Sequence, residues 1–213
     1  MLAILVPARN EEENIGFVID LLTEVTSSPE DIFVIDNNST DNTSIIALEK
    51  KVRLMHVKEL GYEKAISTAL KNVKDLEYTK FMIVDGDNEI DRKSIKEAFN
   101  SVYSYNFLCG KRDKVKRKGE EIVNSYYKKN YRIDDLMCGL KAGDIDLHNQ
   151  EANLSFGLDM FKFEDMSGMK IKNIRVTVNQ RESTRLGNFV KVNTLLISGL
   201  VKYHFGRNDR KIL

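Results

Sequence analysis

The sequence contains few of the residues from which zinc sites and disulfide frameworks are built. Only two of its 213 residues are cysteines, and Cys109 and Cys138 do not show the spacing of metal ligands. The three histidines, His56, His148 and His204, are scattered along the chain, which argues against a zinc centre. We therefore expect reduced thiols in a cytoplasmic protein.

Long apolar runs and an excess of one charge are also missing. No segment approaches the roughly 20 apolar residues of a membrane-spanning helix, and LAILV, followed by Pro7, is too short for a signal peptide. The 33 basic and 32 acidic residues nearly cancel, so overall charge does not indicate a nucleic-acid partner. With two prolines and no Gly-rich linker or repeat, residues 1–213 are expected to form one unit.

The first half of the chain alternates between short apolar runs and helical patterns. Strands are predicted at 2–6, 31–35, 52–57 and 81–84, and helices follow each of them, around 15–22, 45–48, 61–73 and 95–102. This alternation predicts parallel βαβ units and a sheet covered by helices on both faces. Neither a dinucleotide-binding glycine fingerprint nor a P-loop is present.

The second half is less regular. Strands are predicted at 106–110, 137–142 and 171–178, and helices at 157–166 and 188–205. The first of these strands enters KRDKVKRK, residues 111–118, in which six of eight residues are basic. Such a run is typical of an exposed loop and also of a site that binds anions.

Acids cluster at the end of the buried strand FMIV. Asp85, Asp87 and Glu89 occupy alternate positions and would lie on one side of an extended segment, with Gly86 allowing a close approach of the backbone. Their oxygens suit Mg²⁺ or Mn²⁺, which would reduce their mutual repulsion and bring a diphosphate. Asp91, by contrast, is expected to cap the next helix. Polar loops also follow the first two strands, at the edge where α/β sheets bind ligands.

Several of these segments resemble motifs of a known family. LVPARNEEENI, FVIDNNSTDNT and VDGD resemble the first-strand, second-strand and D-x-D motifs of family 2 glycosyltransferases of the GT-A fold. LCGKR, DDLMCGLKA, the predicted helix containing Asp159 and IRVTVNQRESTRLG resemble blocks of the branch that transfers mannose or glucose to polyprenyl phosphates. The resemblance spans nearly the whole chain. It implies a Rossmann-like three-layer α/β/α fold with a mainly parallel central sheet, a nucleotide-sugar-binding half at 1–105 and an acceptor-binding half at 106–213.

The resemblance also implies roles for individual residues. The expected nucleotide-sugar-binding residues are Pro7, Ala8, Arg9, Glu11, Asp36, Asp85 and Gly86. The expected metal ligands for Mg²⁺ or Mn²⁺ are Asp85, Asp87 and Glu89, the last where the branch usually has glutamine. Helix capping and turn formation are the alternative roles of Glu11 and Asp36.

The remaining roles concern catalysis and the acceptor. Asp87, Arg112 and Asp135 are the expected catalytic residues, with Arg112 in a G-K-R block and Asp135 before a C-G-L block. Arg112, Arg117, Arg181 and Arg185 are expected to bind the acceptor and the diphosphate, although a solvated surface is the alternative for the last two. Asp159 stands where the branch has glutamate.

The implied reaction is the inverting, metal-dependent transfer of a sugar from a UDP- or GDP-sugar to a polyprenyl phosphate. A phosphate acceptor is ionised and needs no general base, whereas a saccharide or other hydroxyl acceptor needs one. Glu164 and Asp165 form an E-D pair that could supply that base. Hydroxyl transfer therefore remains the alternative, with a nucleotidyltransferase or a non-catalytic nucleotide-sugar binder as more distant hypotheses.

The last predicted helix combines apolar residues with basic flanks. Its apolar residues are Leu195, Leu196, Ile197, Leu200 and Val201, and the basic ones are Lys191, Lys202, Arg207, Arg210 and Lys211. Packing against the domain is the first expectation, and peripheral contact with the inner face of a membrane is the second.

Overall fold

The computed structural model describes residues 1–26, 28–115, 117–152, 157–163, 168–178 and 189–210. Seven strands form one sheet: β1 (Leu2–Ala8), β2 (Ile32–Asp36), β3 (Arg53–His56), β4 (Lys80–Val84), β5 (Phe107–Arg112), β6 (Leu140–Asp144) and β7 (Ile171–Val176). Their order is β3-β2-β1-β4-β6-β5-β7. Every neighbouring pair is parallel except the two pairs that involve β6.

Helices cover both faces of this sheet. They are α1 (Ile15–Thr26), α2 (Thr43–Glu49), α3 (Tyr62–Asp75), α4 (Arg92–Ser101), α5 (Lys118–Tyr131) and α6 (Phe189–Arg210). Buried residues of α3, α5 and α6 belong to one core cluster, and those of α1, α2 and α4 belong to another. The mixed α/β fold with a mainly parallel sheet is therefore confirmed.

The alternation of side chains along the strands supplies both core clusters. Leu5 and Ile83 belong to the first cluster, whereas their neighbours Ile4 and Met82 belong to the second, and all four side chains are fully buried. A strand covered on both faces needs apolar residues at every position, which is why FMIV and LAILV are continuous apolar runs.

The helix predicted at 157–166 is wrong over the described residues 157–163. Gly157 has a positive φ of 64°, which breaks a right-handed helix, and the chain then lies beside residues 147–149. The Lys162 N–H donates to the Leu147 carbonyl at 2.7 Å. In this extended conformation Phe161 and Phe163 both enter the core, where Phe161 stacks on Phe81 at 5.3 Å between ring centroids.

Helix α5 was not predicted, although its sequence carries a helical signal. Val123, Tyr127 and Tyr131 recur every four residues and are all buried. Asn193 of α6 accepts a hydrogen bond from the Gly119 N–H at 2.9 Å, and so satisfies a backbone donor in the first turn of α5. The two helices therefore pack as a pair beside β5.

Replacing Gly110 by alanine is expected to destabilise the fold. A Cβ at this position in β5 would lie 2.5 Å from Cys138 Sγ and 2.9 Å from Val176 Cγ2. Because overpacking a core costs about 1–3 kcal/mol, urea unfolding should show a loss of that size. The control is Gly16→Ala, for which the nearest atom lies at 3.6 Å; equal stabilities for the two variants would contradict the prediction.

Candidate active site

The carboxyl ends of β1, β2 and β4 meet at one edge of the sheet. Ala8 and Asp36 are register partners at the ends of β1 and β2, and Asp85 directly follows β4. Because β6 runs in the opposite direction, its first residues reach the same edge from the other side. The predicted polar loops and the acids are therefore brought together.

Hydrogen bonds join the loops after β1 and β2. The Asn10 N–H donates to Ser39 Oγ at 3.0 Å, and the Thr40 N–H donates to Asn10 Oδ1 at 2.8 Å. The side-chain amide of Asn42 donates to the Glu12 carboxylate at 2.8 Å. These contacts make the two loops one polar unit at the edge of the sheet.

The predicted nucleotide-binding residues of the first loop differ in exposure. Pro7 and Ala8 are buried at the end of β1, whereas Arg9 is exposed. The Glu11 carboxylate accepts a hydrogen bond from the Asn14 side chain at 3.0 Å, and Glu11 is only 7% exposed. Arg9 is thus the one residue of these four whose side chain extends into solvent.

Asp36 lies at the end of β2 and is buried by its own loop. Its carboxylate accepts hydrogen bonds from the Ser39 N–H at 3.0 Å and the Ser44 hydroxyl at 2.7 Å, and His56 Nδ1 lies 3.2 Å away. Burial alone would raise the pKa of Asp36, but the hydrogen bonds from both serines and the nearby imidazole lower it. The Asp36 carboxylate therefore stabilises the loop after β2, which is the turn-forming role expected as its alternative.

Asp85 is the most strongly perturbed acid at this edge. Its Oδ1 accepts a hydrogen bond from the Tyr62 hydroxyl at 3.1 Å, and its Cγ lies so close to Gly139 that a Cβ there would be 2.6 Å away. Burial first, and then the charge of Asp87, raise the pKa of Asp85 to about 7, although Lys141 and Tyr62 act in the opposite direction. The negative charges of Asp85 and Asp87 therefore repel each other, and a bound cation would reduce this repulsion.

The predicted metal ligands fit a site that is completed by a substrate. No group of three or more His, Cys, Asp or Glu side chains among the described residues is arranged to hold a metal ion, so Asp85, Asp87 and Glu89 do not form a ready three-carboxylate cage. Mg²⁺ is commonly held by one or two carboxylates together with substrate phosphates. The oxygen donors and the raised pKa of Asp85 fit that mode.

A second charged cluster surrounds Arg112, the last residue of β5. Arg112 donates from Nε and Nη2 to the two oxygens of Asp135, at 2.7 and 2.9 Å, and Nη2 also donates to Glu120 at 2.9 Å. Arg117 donates to the other oxygen of Glu120 at 2.6 Å, and Asn124 donates to Asp135 at 2.9 Å. Two arginines and two acids thus form one network.

The network is buried except at Arg112. The side chains of Asp135, Glu120 and Arg117 are at most 6% exposed, whereas that of Arg112 is 19% exposed. Within the described residues, Nη1 of Arg112 makes no hydrogen bond, whereas Nε and Nη2 are both donors to the acids of the network. Burial alone would raise the pKa of Asp135, but Arg112 holds it below its ordinary value. Asp135 is therefore a fixed anion that orients Arg112.

The structure places several other residues at the site that the sequence analysis missed. They are Tyr62, Gly139, Lys141, Glu120 and Asn124. Lys141 is 7% exposed and donates to the Cys138 carbonyl at 2.5 Å. No local pattern in the sequence marked any of these five residues as part of the site.

Some predicted residues lie outside the described part of the chain. They are Arg181, Arg185, Glu164 and Asp165. Asp91 is described and caps α4 as predicted, accepting a hydrogen bond from the Ser94 N–H at 3.0 Å. Cys109 and Cys138 are buried free thiols in different core clusters.

Helix α6 packs on the domain as expected and also carries an exposed apolar face. Val192, Leu196 and Leu200 are buried, whereas Ile197 and Val201 are 41% and 49% exposed. Among the described helices none is long and apolar enough to cross a bilayer.

The fold and the site together define a class of enzyme. A mainly parallel sheet covered by helices, with polar loops after its first two strands and a D-x-D after its fourth, fits the GT-A type of glycosyltransferase. Residues 3–161 match the family model described as Glycosyl transferase family 2, and the chain belongs to that family. It is a glycosyltransferase.

Relatives and solved structures agree with this family. Protein RfbJ from Shigella flexneri is 30% identical over 100 residues, which cover 46% of this chain and 74% of RfbJ. Glucosyl-3-phosphoglycerate synthase from Mycobacterium tuberculosis, in complex with Mn²⁺, UDP and glucosyl-3-phosphoglycerate, superposes with a TM-score of 0.71 at 16% identity. That match covers 95% of this chain and 79% of the other. A complex of the same synthase with Mn²⁺, UDP-glucose and glycerol 3-phosphate gives a TM-score of 0.69 at 15% identity, with the same coverage.

Replacing Asp135 by asparagine is expected to destabilise the protein strongly. The change leaves the partly buried Arg112 without its bidentate anion, and breaking a buried ion pair costs about 3–5 kcal/mol. Asp134→Asn is the matched control, because its carboxylate is 18% exposed and pairs with the exposed Lys111; a loss below about 1 kcal/mol is expected there. Similar losses in urea unfolding would contradict the assigned difference.

Proposed function

We propose that this glycosyltransferase moves a sugar from a UDP- or GDP-sugar to a polyprenyl phosphate, with inversion. The observation that carries the acceptor is the Arg112 guanidinium, which Asp135 and Glu120 hold in place while its side chain stays 19% exposed. An oriented guanidinium matches the geometry of a phosphate group. The sheet edge that bears Arg112 also bears the acids expected to hold the donor diphosphate.

The donor half, 1–105, would bind the nucleotide through the first two loops. Arg9 is exposed in the loop after β1, whereas Pro7 and Ala8 are buried at the end of that strand. Glu11 and Asp36 stay predicted nucleotide ligands, but their internal hydrogen bonds support a further effect, which is to hold the loops in the shape that receives the nucleoside. Gly86 brings the acidic loop against β1, since its N–H donates to the Pro7 carbonyl at 3.1 Å.

Asp85 and Asp87 would hold Mg²⁺ or Mn²⁺ together with the donor diphosphate, with Glu89 as a further predicted ligand. When bound, the cation supplies electrostatic stabilisation of the diphosphate that leaves during transfer. Arg112 would add a positive charge from the acceptor side, where hydrogen-bond donors that are already oriented are most effective. Asp135 contributes by keeping that guanidinium in place.

The burial and the lowered pKa of Asp135 support a phosphate acceptor. A general base for a hydroxyl acceptor needs an accessible carboxylate with a pKa near the working pH. Asp135 is 1% exposed, and the hydrogen bonds and charge of Arg112 lower its pKa despite burial. Asp135 is therefore unsuited to deprotonate an acceptor, and an acceptor that is already ionised does not require it to. Arg117 would act through Glu120, and Arg181 and Arg185 stay predicted contacts of the acceptor half, 106–213.

A hydroxyl acceptor is the second candidate, and a specific observation favours it. Several cations of the basic run are matched by acids within the chain: Lys111 pairs with Asp134 at 2.8 Å, and Arg117 pairs with Glu120. This pairing leaves less positive charge for a lipid phosphate. The structural relative from Mycobacterium tuberculosis was solved with phosphoglyceric acid and glycerol 3-phosphate rather than with a lipid.

We also propose that α6 makes peripheral contact with an anionic membrane surface. Its exposed apolar residues Ile197, Val201 and Phe205 follow one another at spacings of four residues, with the exposed Lys202 beside them. An apolar face with basic neighbours is typical of helices at such interfaces. Contact there would bring the acceptor half close to a lipid-linked phosphate.

The test of function is conversion of labelled donor into product. With UDP- or GDP-sugars, Mn²⁺ and a short polyprenyl phosphate, the purified protein should form an organic-extractable glycolipid. Asp87→Asn should abolish it without unfolding the protein, because the loss of one anion weakens the cation but also relieves repulsion with Asp85. Asp75→Asn, an exposed acid at the end of α3, is the control. Glycosylation of a free saccharide or of phosphoglycerate, with no lipid product from any donor, would favour the hydroxyl acceptor instead.

Arg112→Lys should raise the KM for the acceptor by a larger factor than it weakens UDP binding. Lysine keeps the charge but loses the planar pair of donors, and losing a charge-assisted hydrogen bond costs roughly 1.5–3 kcal/mol, or about ten- to a hundredfold in KM. Arg175→Lys is the control, because that exposed arginine pairs with Asp113. A weakened affinity for UDP in calorimetry, with an unchanged acceptor KM, would assign Arg112 to the donor.

A further inference from the structure

The hydroxyl group of Tyr62 reaches the first acid of the D-x-D across the edge of the sheet. Tyr62 is the first residue of α3, yet it donates a hydrogen bond to Asp85 Oδ1 at 3.1 Å. We propose that Tyr62 is a positioning residue, which orients the Asp85 carboxylate for the divalent cation and its diphosphate. The inference rests on the proposed metal-dependent function and deepens it.

The position of Tyr62 is itself fixed by the buried Asn37. The Asn37 side chain donates to the carbonyls of Val57 and Glu59, at 3.0 and 2.8 Å, and accepts from the Gly61 N–H at 2.9 Å. All three of these bonds go to the segment that leads from β3 into α3. The end of β2 therefore determines where α3 begins, and with it where the Tyr62 ring lies.

The segment before β6 also contacts Asp85 and limits the movement of its carboxylate. Gly139 lies against the carboxylate, where a Cβ would be 2.6 Å from Asp85 Cγ, and the Gly139 carbonyl accepts from the Asp85 N–H at 3.3 Å. Lys141 adds a buried positive charge from β6. Tyr62 therefore contacts one carboxylate oxygen, Oδ1, whereas Gly139 lies closest to the other, Oδ2.

Tyr62 can orient the carboxylate without neutralising it. A phenol has an ordinary pKa of about 10, so the Tyr62 hydroxyl is protonated at neutral pH and can donate to the carboxylate. A neutral donor fixes one oxygen and leaves the negative charge for a cation. Mutation of a residue that hydrogen-bonds to a metal ligand typically lowers the affinity for the metal by about 10- to 100-fold.

The test is Mn²⁺ binding, measured by electron paramagnetic resonance of the uncomplexed ion in the presence of UDP. Tyr62→Phe should weaken Mn²⁺ binding by about tenfold or more, while UDP affinity without metal, the circular dichroism spectrum and Tm stay close to wild type. Because Tyr62 is 37% exposed, phenylalanine should be accommodated without opening the core. Tyr103→Phe, at a position that is 65% exposed in the short turn after α4, is the matched control and should bind Mn²⁺ as wild type does.

A double-mutant cycle with Asp85→Asn separates positioning from a general structural effect. If Tyr62 acts through Asp85, the double variant should bind Mn²⁺ no more weakly than Asp85→Asn alone. Additive losses, or unchanged Mn²⁺ affinity in Tyr62→Phe while wild type binds the ion, would overturn the inference and leave the proposed function standing. Absence of Mn²⁺ binding by the wild-type protein would overturn both.

Discussion

The antiparallel insertion of β6 between β4 and β5 is the constraint on which the candidate site depends. Since β6 enters the sheet from the carboxyl edge, residues 135–141 must cross that edge between the acids after β4 and the arginine at the end of β5. One short segment then serves both centres: Asp135 pairs with Arg112, and Gly139 packs against Asp85. A parallel strand in the same place would carry this segment to the opposite edge.

The two centres joined by this segment differ in their electrostatic balance. The network of Arg112, Arg117, Glu120 and Asp135 matches two positive charges with two negative ones, and its buried members are held by hydrogen bonds in fixed geometry. At Asp85, burial and the charge of Asp87 outweigh the nearby positive charge of Lys141 and raise the pKa of Asp85 to about 7. The first centre is complete within the chain, whereas the second is suited to receive charge from a cation and its ligand.

Buried acids hold Arg112 in a fixed orientation at the end of β5. Burial and bidentate pairing make Asp135 a support for Arg112 and a poor base. The internal pairing of the basic run nonetheless reduces the charge available to a phosphate. The pairs of Lys111 with Asp134 and of Arg117 with Glu120 neutralise part of the positive charge around Arg112.

Local sequence patterns predicted most of the fold and the acidic part of the site. Continuous apolar runs and helical spacing depend on residues a few positions apart, so the strands and helices of the first half were predicted correctly, as was the cap at Asp91. The same reasoning was wrong for residues 157–163, because the aromatic cluster that draws in Phe161 and Phe163 is formed with Phe81 and Phe107, which are distant in the chain.

The sequence by itself determined the order of elements, the apolar strands buried on both faces and the placement of carboxylates directly after β4. Only the tertiary structure decided which side chains meet those carboxylates and arginines. Tyr62 reaches Asp85 across 23 residues, and Asp135 reaches Arg112 across the same separation. The physical reason is that such contacts follow from strand order and direction, which are set by the packing of the whole sheet and leave no periodic trace in the residues themselves.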